Sequence, residues 1–156
     1  MSGKSSSAPE ERTRNIKTSA QPVEQVVRPN LYVLSIGVSV YKQPHLTLGY
    51  SAKDAGDLAA LFERQRNGLY DRVQTRVLLN DGATKSQILD GLDWLRRETT
   101  AKDVAVVVLS GHGMNDPGTG EYHFIPHDGD PERVASTLLA GYEVRSIISH
   151  TPGKRL

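Results

Sequence analysis

Asp103–Gly113 reads DVAVVVLSGHG. The first eight of these residues are almost all apolar and mostly β-branched, which is the composition of a central parallel strand covered on both faces. A histidine, His112, follows two residues after the run and stands between two glycines. This segment therefore predicts a buried strand that carries a histidine to the edge of a sheet.

Two elements are predicted at the start of the folded region. Leu31–Val40 (LYVLSIGVSV) is too short and too rich in valine and isoleucine for a helix, so it predicts a first buried strand. Ser51 can cap a helix, and Asp54 three residues later can complete a capping box. This helix is predicted to end before Gly68, and its buried stripe is predicted to contain Ala55, Leu58, Ala59, Leu61 and Phe62.

A second strand and a second helix come next. Val73–Leu79 alternates in polarity and predicts a strand, and Asn80–Gly82 has the residues of a turn. Thr84 is predicted to cap the following helix, with Gln87 as its reciprocal partner. The buried stripe of this helix is predicted to consist of Ile88, Leu92 and Leu95, with Trp94 beside it as a partly buried packing residue.

The patterns after His112 are weaker. Gly111–Gly120 is rich in turn residues and predicts a loop, Tyr122–Pro126 predicts a short strand or hairpin arm, and Ser136–Ser149 is predicted to be mainly helical. Strands and helices thus alternate along the chain. This order predicts right-handed crossovers and an α/β fold, in which a mainly parallel sheet has helices on both faces.

The composition excludes several classes of function. Lys and Arg number 19 against 18 Asp and Glu, so the net charge of +1 gives no reason to expect nucleic acid or a membrane as a partner. The sequence has no cysteine, which excludes disulfides, thiolate metal sites and a thiol nucleophile within these 156 residues. No apolar run suits a bilayer span or a secretory signal, so we expect a cytoplasmic protein.

The first part of the chain has a different composition from the rest. Up to Gln21 its only large apolar residues are Met1 and Ile16, among serines, basic residues, glutamates and prolines. Such a segment cannot bury enough surface to offset its ordering entropy. Residues 1–29 are therefore predicted to form a flexible basic, Ser-rich tail, and residues 30–156 a single domain.

His112 is the strongest candidate for a catalytic residue. Ligands of open parallel sheets bind beyond the carboxyl ends of the strands, where this histidine is predicted to lie. Histidine exchanges protons near neutrality and can act as a general base. The flanking glycines would let a substrate backbone approach, and the amide of Gly113 could donate to an oxyanion. The alternative is a loop histidine beside turn glycines.

Several segments of Leu31–Leu156 resemble the caspase family and its bacterial and metacaspase-like relatives. The most specific is Val107–Gly113 (VVLSGHG), which matches the family's strand ending in Ser-Gly-His-Gly. Ala52–Ala55 resembles the Asp-Ala start of the family's first helix. Val77–Thr84 is similar to its second strand and the Thr-capped helix after it, and Tyr122–Asp128 is similar to the segment that follows the histidine in bacterial members.

The resemblance implies a caspase-like, three-layer α/β/α fold and a cysteine endopeptidase with a Cys-His dyad. His112 would be the dyad histidine and the Gly113 amide one oxyanion donor. In the family the cysteine ends the next core strand, which here would begin at Lys154–Leu156. We therefore expect residues 30–156 to be the N-terminal, p20-type portion of the domain, cut short before the cysteine-bearing strand and inactive alone.

Two other functions are left open by the sequence. One is a catalytically inactive caspase-like interaction or regulatory module, which keeps the fold and lacks the nucleophile. The other is a flavodoxin-like or receiver-like domain, which the absence of a phosphate-binding loop after Val38–Tyr41 disfavours. The partners expected of the peptidase are a protein or peptide substrate and the missing C-terminal portion of the domain.

Asp54 is the candidate substrate-binding residue. By the resemblance it occupies the place of the acidic primary-pocket residue of metacaspase-like members, which accept arginine or lysine, and Tyr41–Tyr50 contains no arginine of the kind that binds aspartate. This favours cleavage after Arg or Lys. The alternative is that Asp54 only completes the capping box and stabilises its helix, by about 0.5–2 kcal/mol.

The remaining candidates predict no further site. His123 and His127, with Asp128 and Asp130, are interpreted as a turn or a pocket-lining loop rather than a metal site, since Pro126 argues against the helix that would align the histidines. His45 and His150 are predicted to be solvated. No cofactor or metal is expected; calcium activation, as in some metacaspase-like proteins, is left open, and the sequence has no EF-hand pattern.

Overall fold

The computed structural model describes residues 1–5, 7–9 and 26–155. Within them the elements follow in the order β1 (Leu31–Gly37), α1 (Ser51–Glu63), β2 (Val73–Leu79), α2 (Lys85–Glu98), β3 (Val104–Ser110), β4 (Gly113–Asn115), β5 (Tyr122–Phe124), α3 (Val134–Thr137), β6 (Leu139–Ala140), α4 (Gly141–Ser149) and β7 (Lys154–Arg155), with 3-10 turns at Pro44–Leu46 and Asn80–Gly82. No helix of this described part is long and apolar enough to cross a bilayer.

The central sheet has four parallel strands in the order β2-β1-β3-β7. All seven residues of β1 are buried, as expected for a continuous apolar strand between two others. β1 is shorter than the predicted strand and ends at Gly37, which pairs with Ser110 of β3 and Leu79 of β2. The three longest strands therefore end at one level of the sheet.

Each face of the sheet carries its own apolar cluster, because successive side chains of a strand point to opposite faces. Leu31 and Val33 of β1 belong to a smaller cluster on the face of α1, together with Val73, Val104, Val106 and Phe62. Leu34 and Ile36 belong to the larger cluster on the face of α2, against which α4 also packs. The predicted three-layer α/β/α fold is confirmed.

α1 begins at Ser51 as predicted, but the predicted capping box is wrong. Ser51 is already in the first helical turn, the N-cap is Tyr50, and no side chain of the cap accepts a hydrogen bond. The amide of Ala52 instead donates to the hydroxyl of Ser39, at 2.9 Å. The helix is thus capped from the loop after β1, a contact that local sequence spacing cannot reveal.

The predicted apolar stripe of α1 is only half correct. Ala55 and Ala59 are buried against the sheet, whereas Leu58 and Leu61 are 39% and 53% exposed. The helix approaches β1 so closely that a Cβ at Gly37 would lie 2.6 Å from the Cβ of Ala55. Small side chains therefore make the contact, and the leucines lie on the flank of the helix.

The predictions for β2 and α2 are confirmed. β2 has the predicted bounds, and Thr84 and Gln87 form the predicted capping box. Ile88, Leu92 and Leu95 are buried. Trp94 is more buried than expected, at 6% exposure, because its ring meets Tyr32 edge-on at 6.1 Å and lies under the guanidinium of Arg76 at 4.6 Å.

A small antiparallel sheet of β4, β5 and β6 follows the central strand. The hairpin arm predicted around Tyr122 is β5, but its partner β4 lies in the stretch predicted to be a loop. The stretch predicted to be mainly helical contains the end of α3, then β6, then α4. These strands are only two or three residues long, so they carry too little periodicity to be recognised from sequence.

Both ends of the predicted domain lie at the edge of the central sheet where β1 and β3 begin. The prediction of a tail over 1–29 falls mostly on residues 10–25, which lie outside the described residues. The chain already contacts the domain at residues 28 and 29: the guanidinium of Arg28 donates to the carbonyl of Asn67, and the carbonyl of Pro29 accepts from the amide of Asp71. At the other end, Lys154 pairs with Val104, so the predicted strand after the last helix is present.

Gly37→Ala should destabilise the domain strongly. A Cβ there would lie 2.6 Å from the backbone oxygen of Ser51, and α1 would have to move off the sheet. We expect a loss of about 3 kcal/mol in the free energy of unfolding by urea denaturation. Gly82→Ala is the control, since nothing lies within 4 Å of its Cβ position. Equal effects of the two substitutions would contradict this account.

Candidate active site

His112 lies just beyond β3, where the chain leaves the central sheet. Its carbonyl accepts a hydrogen bond from the amide of Ile125, at 2.9 Å, and the first residue of β4 follows it. The side chain is partly exposed. The small antiparallel sheet therefore holds the backbone of His112 at the carboxyl edge of the parallel sheet, the edge at which ligands bind in such folds.

The imidazole of His112 is oriented by the loop after β1. Nε2 lies 3.0 Å from the carbonyl oxygen of Leu46, which can only accept a hydrogen bond. Nε2 therefore carries the proton of the neutral ring, and Nδ1 is left as an acceptor. A histidine fixed in this tautomer is prepared to remove a proton through Nδ1.

Tyr41 also contacts the backbone and the ring of His112. Its hydroxyl accepts a hydrogen bond from the amide of His112, at 2.8 Å, and the two rings lie 5.5 Å apart at 45°. The side chain is buried, and burial raises the pKa of Tyr41, while the bond from the His112 amide opposes that rise. Sequence analysis did not single out Tyr41, since one tyrosine in a loop has no distinctive pattern.

The two glycines around His112 leave space for the chain's own aromatic side chains. A Cβ at Gly111 would lie 2.9 Å from the hydroxyl of Tyr41 and 3.1 Å from the ring of Phe124. A Cβ at Gly113 would overlap the hydroxyl and ring of Tyr122. This close packing explains why a larger residue would not fit at either position, in addition to the access for substrate proposed from the sequence.

The amide of Gly113 is not used by the hairpin. Gly113 faces Phe124 across the ladder, and the amide of Ile125 donates to His112, so this is a non-hydrogen-bonded pair. In such a pair the amides of the two facing residues point away from the partner strand. The Gly113 N–H therefore has no partner in β5 and is available as a donor on the side away from that strand.

Asp54 lies at the same edge of the sheet as His112. The first turn of α1 packs on Gly37, which pairs with Ser110, two residues before His112. The carboxylate is exposed and accepts no hydrogen bond from the described residues. Asp54 and His112 therefore share an edge without contacting each other through a hydrogen bond, and the alternative role of Asp54 in a capping box is wrong.

Three polar residues that the sequence analysis did not connect with the site hold the loop that carries Tyr41 and Leu46. Asn80, in the left-handed region at φ 49°, accepts hydrogen bonds from the amides of Ser39 and Val40 through Oδ1, both at 3.0 Å. His127 Nδ1 lies 2.7 Å from the carbonyl of Val40, and Asp130 accepts from Gln43 at 3.0 Å. All of these contacts join segments distant in sequence.

Three other histidines, His45, His123 and His150, form no hydrogen bond with the site residues among the described part of the chain. His45 and His150 are exposed, as predicted, although His150 Nδ1 lies 2.7 Å from the carbonyl of Ser146. His123 is buried in β5 and lines a separate cavity. Among the described residues, no three side chains of the metal-binding types converge on one point.

A histidine with one ring nitrogen left as an acceptor, next to a backbone amide and at the carboxyl edge of a parallel sheet, is an arrangement found in hydrolases that act through a nucleophile. Comparison with protein families gives the particular class. The sequence model of the caspase domain, Peptidase C14, matches residues 31–152, and the chain belongs to this peptidase family. The family prediction from the Ser-Gly-His-Gly segment is thereby confirmed.

Solved structures share the fold. One is the crystal structure of protein GSU0716 from Geobacter sulfurreducens, with a TM-score of 0.65 and 18% sequence identity. The superposition covers 81% of this chain and 48% of that chain, so the present chain spans about half of that protein's length. None of the curated proteins matches the sequence significantly.

Tyr41→Phe should reduce the alkaline sensitivity of the domain. The pKa of Tyr41 is raised above its unfolded value of 10.0, so its stabilising effect is present below that pH and is lost as the pH rises through the folded value. We expect the free energy of unfolding to fall less steeply above about pH 10 in the variant than in the parent.

At neutral pH the same variant should be less stable by about 1–3 kcal/mol, because the amide of His112 loses its acceptor. Tyr142→Phe is the control, since Tyr142 is 61% exposed. Some alkaline loss should persist in both variants, because burial also raises the pKa of Tyr32. An unchanged pH slope in Tyr41→Phe would refute the assignment.

Proposed function

We propose that this chain provides the histidine half of a Cys-His dyad in a cysteine-type endopeptidase. The observation that carries the proposal is the contact between Nε2 of His112 and the carbonyl of Leu46, at 3.0 Å. It leaves Nδ1 as the base at the sheet edge. Membership of the caspase domain family supports a thiol as the group that this base serves.

The reaction uses few groups. Nδ1 of His112 takes the proton of the thiol, and the thiolate attacks the carbonyl carbon of the scissile peptide bond. The N–H of Gly113 and an amide at the cysteine stabilise the oxyanion. The imidazolium then gives its proton to the leaving amine, and water hydrolyses the thioester with His112 again as base. We propose that no cofactor takes part in these steps.

The register of β7 gives the expected position of the thiol. Each β7 residue pairs with the β3 residue fifty positions earlier, as in Val104 with Lys154. If a longer chain continues this strand in register, position 160 lies opposite Ser110. A cysteine within about two residues of that position would face His112 across neighbouring strands. The present 156 residues contain no cysteine.

Asp54 is proposed as the residue that selects a basic side chain. Its carboxylate is exposed at the edge that holds His112 and is not used in a cap. A carboxylate pairs with the guanidinium of arginine or the ammonium of lysine. Together with the family position that Asp54 resembles, this supports cleavage of proteins or peptides after Arg or Lys.

The absence of cysteine from the sequence favours one second candidate, a catalytically inactive module that binds partners through the same fold. The two candidates differ in the residue near position 160 of a longer chain. A cysteine there supports catalysis, and any other residue supports the module. In either case the C-terminal portion of the domain is a proposed partner of this chain.

His112→Ala should abolish peptide cleavage by a longer chain that contains the cysteine. Without the base, we expect kcat/KM for fluorogenic peptides ending in arginine to fall by at least about a thousandfold. The folded state should be retained, which circular dichroism and urea unfolding would verify. Full activity in the variant would rule out His112 as the base.

Asp54→Asn should weaken cleavage after arginine and lysine. Loss of the carboxylate leaves the basic side chain without its partner, and we expect kcat/KM to fall by about thirtyfold or more. Asp57→Asn on the same helix is the matched control, because its ion pair with Lys53 is exposed. Equal losses in both variants would show that only the net charge of α1 matters.

A further inference from the structure

The cavity that His123 lines has a volume of about 480 Å³ and opens between the β4–β5 hairpin and the α3–α4 segment. It lies on the face of the sheet that carries α2 and α4, opposite the face that carries α1 and Asp54. Neither His112 nor Asp54 lines it. The cavity is therefore separate from the dyad and from the proposed primary pocket.

The lining of this cavity combines apolar and polar groups. The apolar lining residues are Val134, Ala135, Leu138 and Ala140. The polar and acidic lining residues are Asp116, Thr119, Glu121, His123, Tyr142 and Glu143. Such a cavity suits a ligand with an aliphatic part and a polar head, and its volume is within the usual range of small-ligand sites.

His123 is the most buried polar residue of the cavity, at 8% exposure. Its Nδ1 lies 3.0 Å from the carbonyl of Glu121, so Nδ1 carries the proton of the neutral ring. Nε2 is then an acceptor, and it has no hydrogen-bond partner among the described residues. Because every fully buried side-chain nitrogen or oxygen of these residues has a partner, Nε2 is not fully buried. Nε2 is thus open to the cavity that the residue lines.

Each of the three carboxylates uses one oxygen for the fold. Oδ1 of Asp116 accepts from the amides of Gly118 and Thr119, both at 2.8 Å. Oε1 of Glu121 accepts from Arg145, and Oε2 of Glu143 accepts from the amide of Ala140, both at 2.8 Å. The second oxygen of each carboxylate accepts no hydrogen bond from the described residues.

The charge of the cavity wall is negative. Glu121 forms an ion pair with Arg145 and Glu143 forms one with Lys85, whereas Asp116 forms no ion pair with a Lys or Arg of the described residues. The amide of Thr119, followed by that of Gly118, lowers the pKa of Asp116, so this group is ionised at neutral pH. The free groups are mostly acceptors, and they complement a ligand rich in N–H donors.

We infer that this cavity binds the side chain of an arginine in a peptide. The methylene stem would lie against the apolar lining residues, and the guanidinium would donate to Nε2 of His123 and to the free oxygens of Asp116 and Glu143. Five N–H donors in a planar fork match a set of separated acceptors. The described side chains form no metal-ligand group here, which favours an organic cation.

In the proposed peptidase the cavity would be a second subsite for a basic residue of the substrate. That use rests on the proposed function, whereas arginine binding does not, since it needs neither the cysteine nor His112. The inference can therefore be tested on the 156-residue chain itself.

The test is a calorimetric titration of the 156-residue chain with N-acetyl-arginine amide and with the citrulline analogue, which has the same shape and no charge. We expect the arginine compound to bind at least about tenfold more tightly. Asp116→Asn and Glu143→Gln, which keep the oxygens that accept backbone amides, should each weaken its binding about tenfold. Asp90→Asn, an exposed change on α2, should leave it unaltered.

Asp54→Asn separates this inference from the proposed function. Unchanged arginine binding in Asp54→Asn, with loss in Asp116→Asn, would establish the cavity as the site. Loss in Asp54→Asn with retention in Asp116→Asn would assign the arginine to the proposed primary pocket and overturn the inference. Equal binding of arginine and citrulline compounds, or no binding, would overturn it as well.

Discussion

The parallel register of β1 and β3 places Gly37 opposite Ser110, and both candidate site residues depend on that level of the sheet. β3 delivers His112 two residues later. β1 ends at Gly37, whose missing side chain lets the first turn of α1 lie directly on the strand. A side chain at Gly37 would push Asp54 away from the edge that His112 occupies. One close backbone contact therefore sets the relative position of the proposed base and the proposed pocket residue.

The loop after β1 supplies the groups that orient His112 at that edge. It brings the hydroxyl of Tyr41 to the amide of His112 and the carbonyl of Leu46 to Nε2. Val38 and Tyr41 anchor the loop in the apolar core, and its backbone is also held by Asn80 and His127 through hydrogen bonds to Val40. A site is more precise when other residues lock the groups that orient it. Here that locking comes from the turn after β2 and the segment after β5.

Sequence reasoning was most accurate where one element decides its own structure. The β-branched runs of β1 and β3 and the capping box of Thr84 and Gln87 act within a few residues, and the structure contains all three. It was least accurate where distant segments meet. Ser39 caps α1, so the local signal at Ser51 was misleading. The short strands β4 and β6 exist only through pairing with β5.

The same distinction applies to the site. His112 was recognised because a motif and a strand end coincide in eleven consecutive residues. Tyr41 and Leu46 were not recognised, since their roles come from a hydroxyl and a backbone carbonyl that lie 71 and 66 positions from His112 in sequence. Every residue has a backbone carbonyl, so this group leaves no residue-type signal in the sequence. No motif can therefore identify the carbonyl that orients His112.

The contacts that orient His112 also bear on how a dyad could be assembled. Its amide, its carbonyl and its Nε2 are each engaged, by Tyr41, Ile125 and Leu46 respectively. None of these three groups belongs to the strand that begins with β7. The tautomer of the imidazole is therefore set without any contribution from the strand that begins with β7. A nucleophile reaching the sheet edge beside β3 would meet an imidazole whose free acceptor is already Nδ1, so its arrival would require no reorientation of the ring. Preorganisation of this kind avoids the energetic cost of rearranging the site during the reaction.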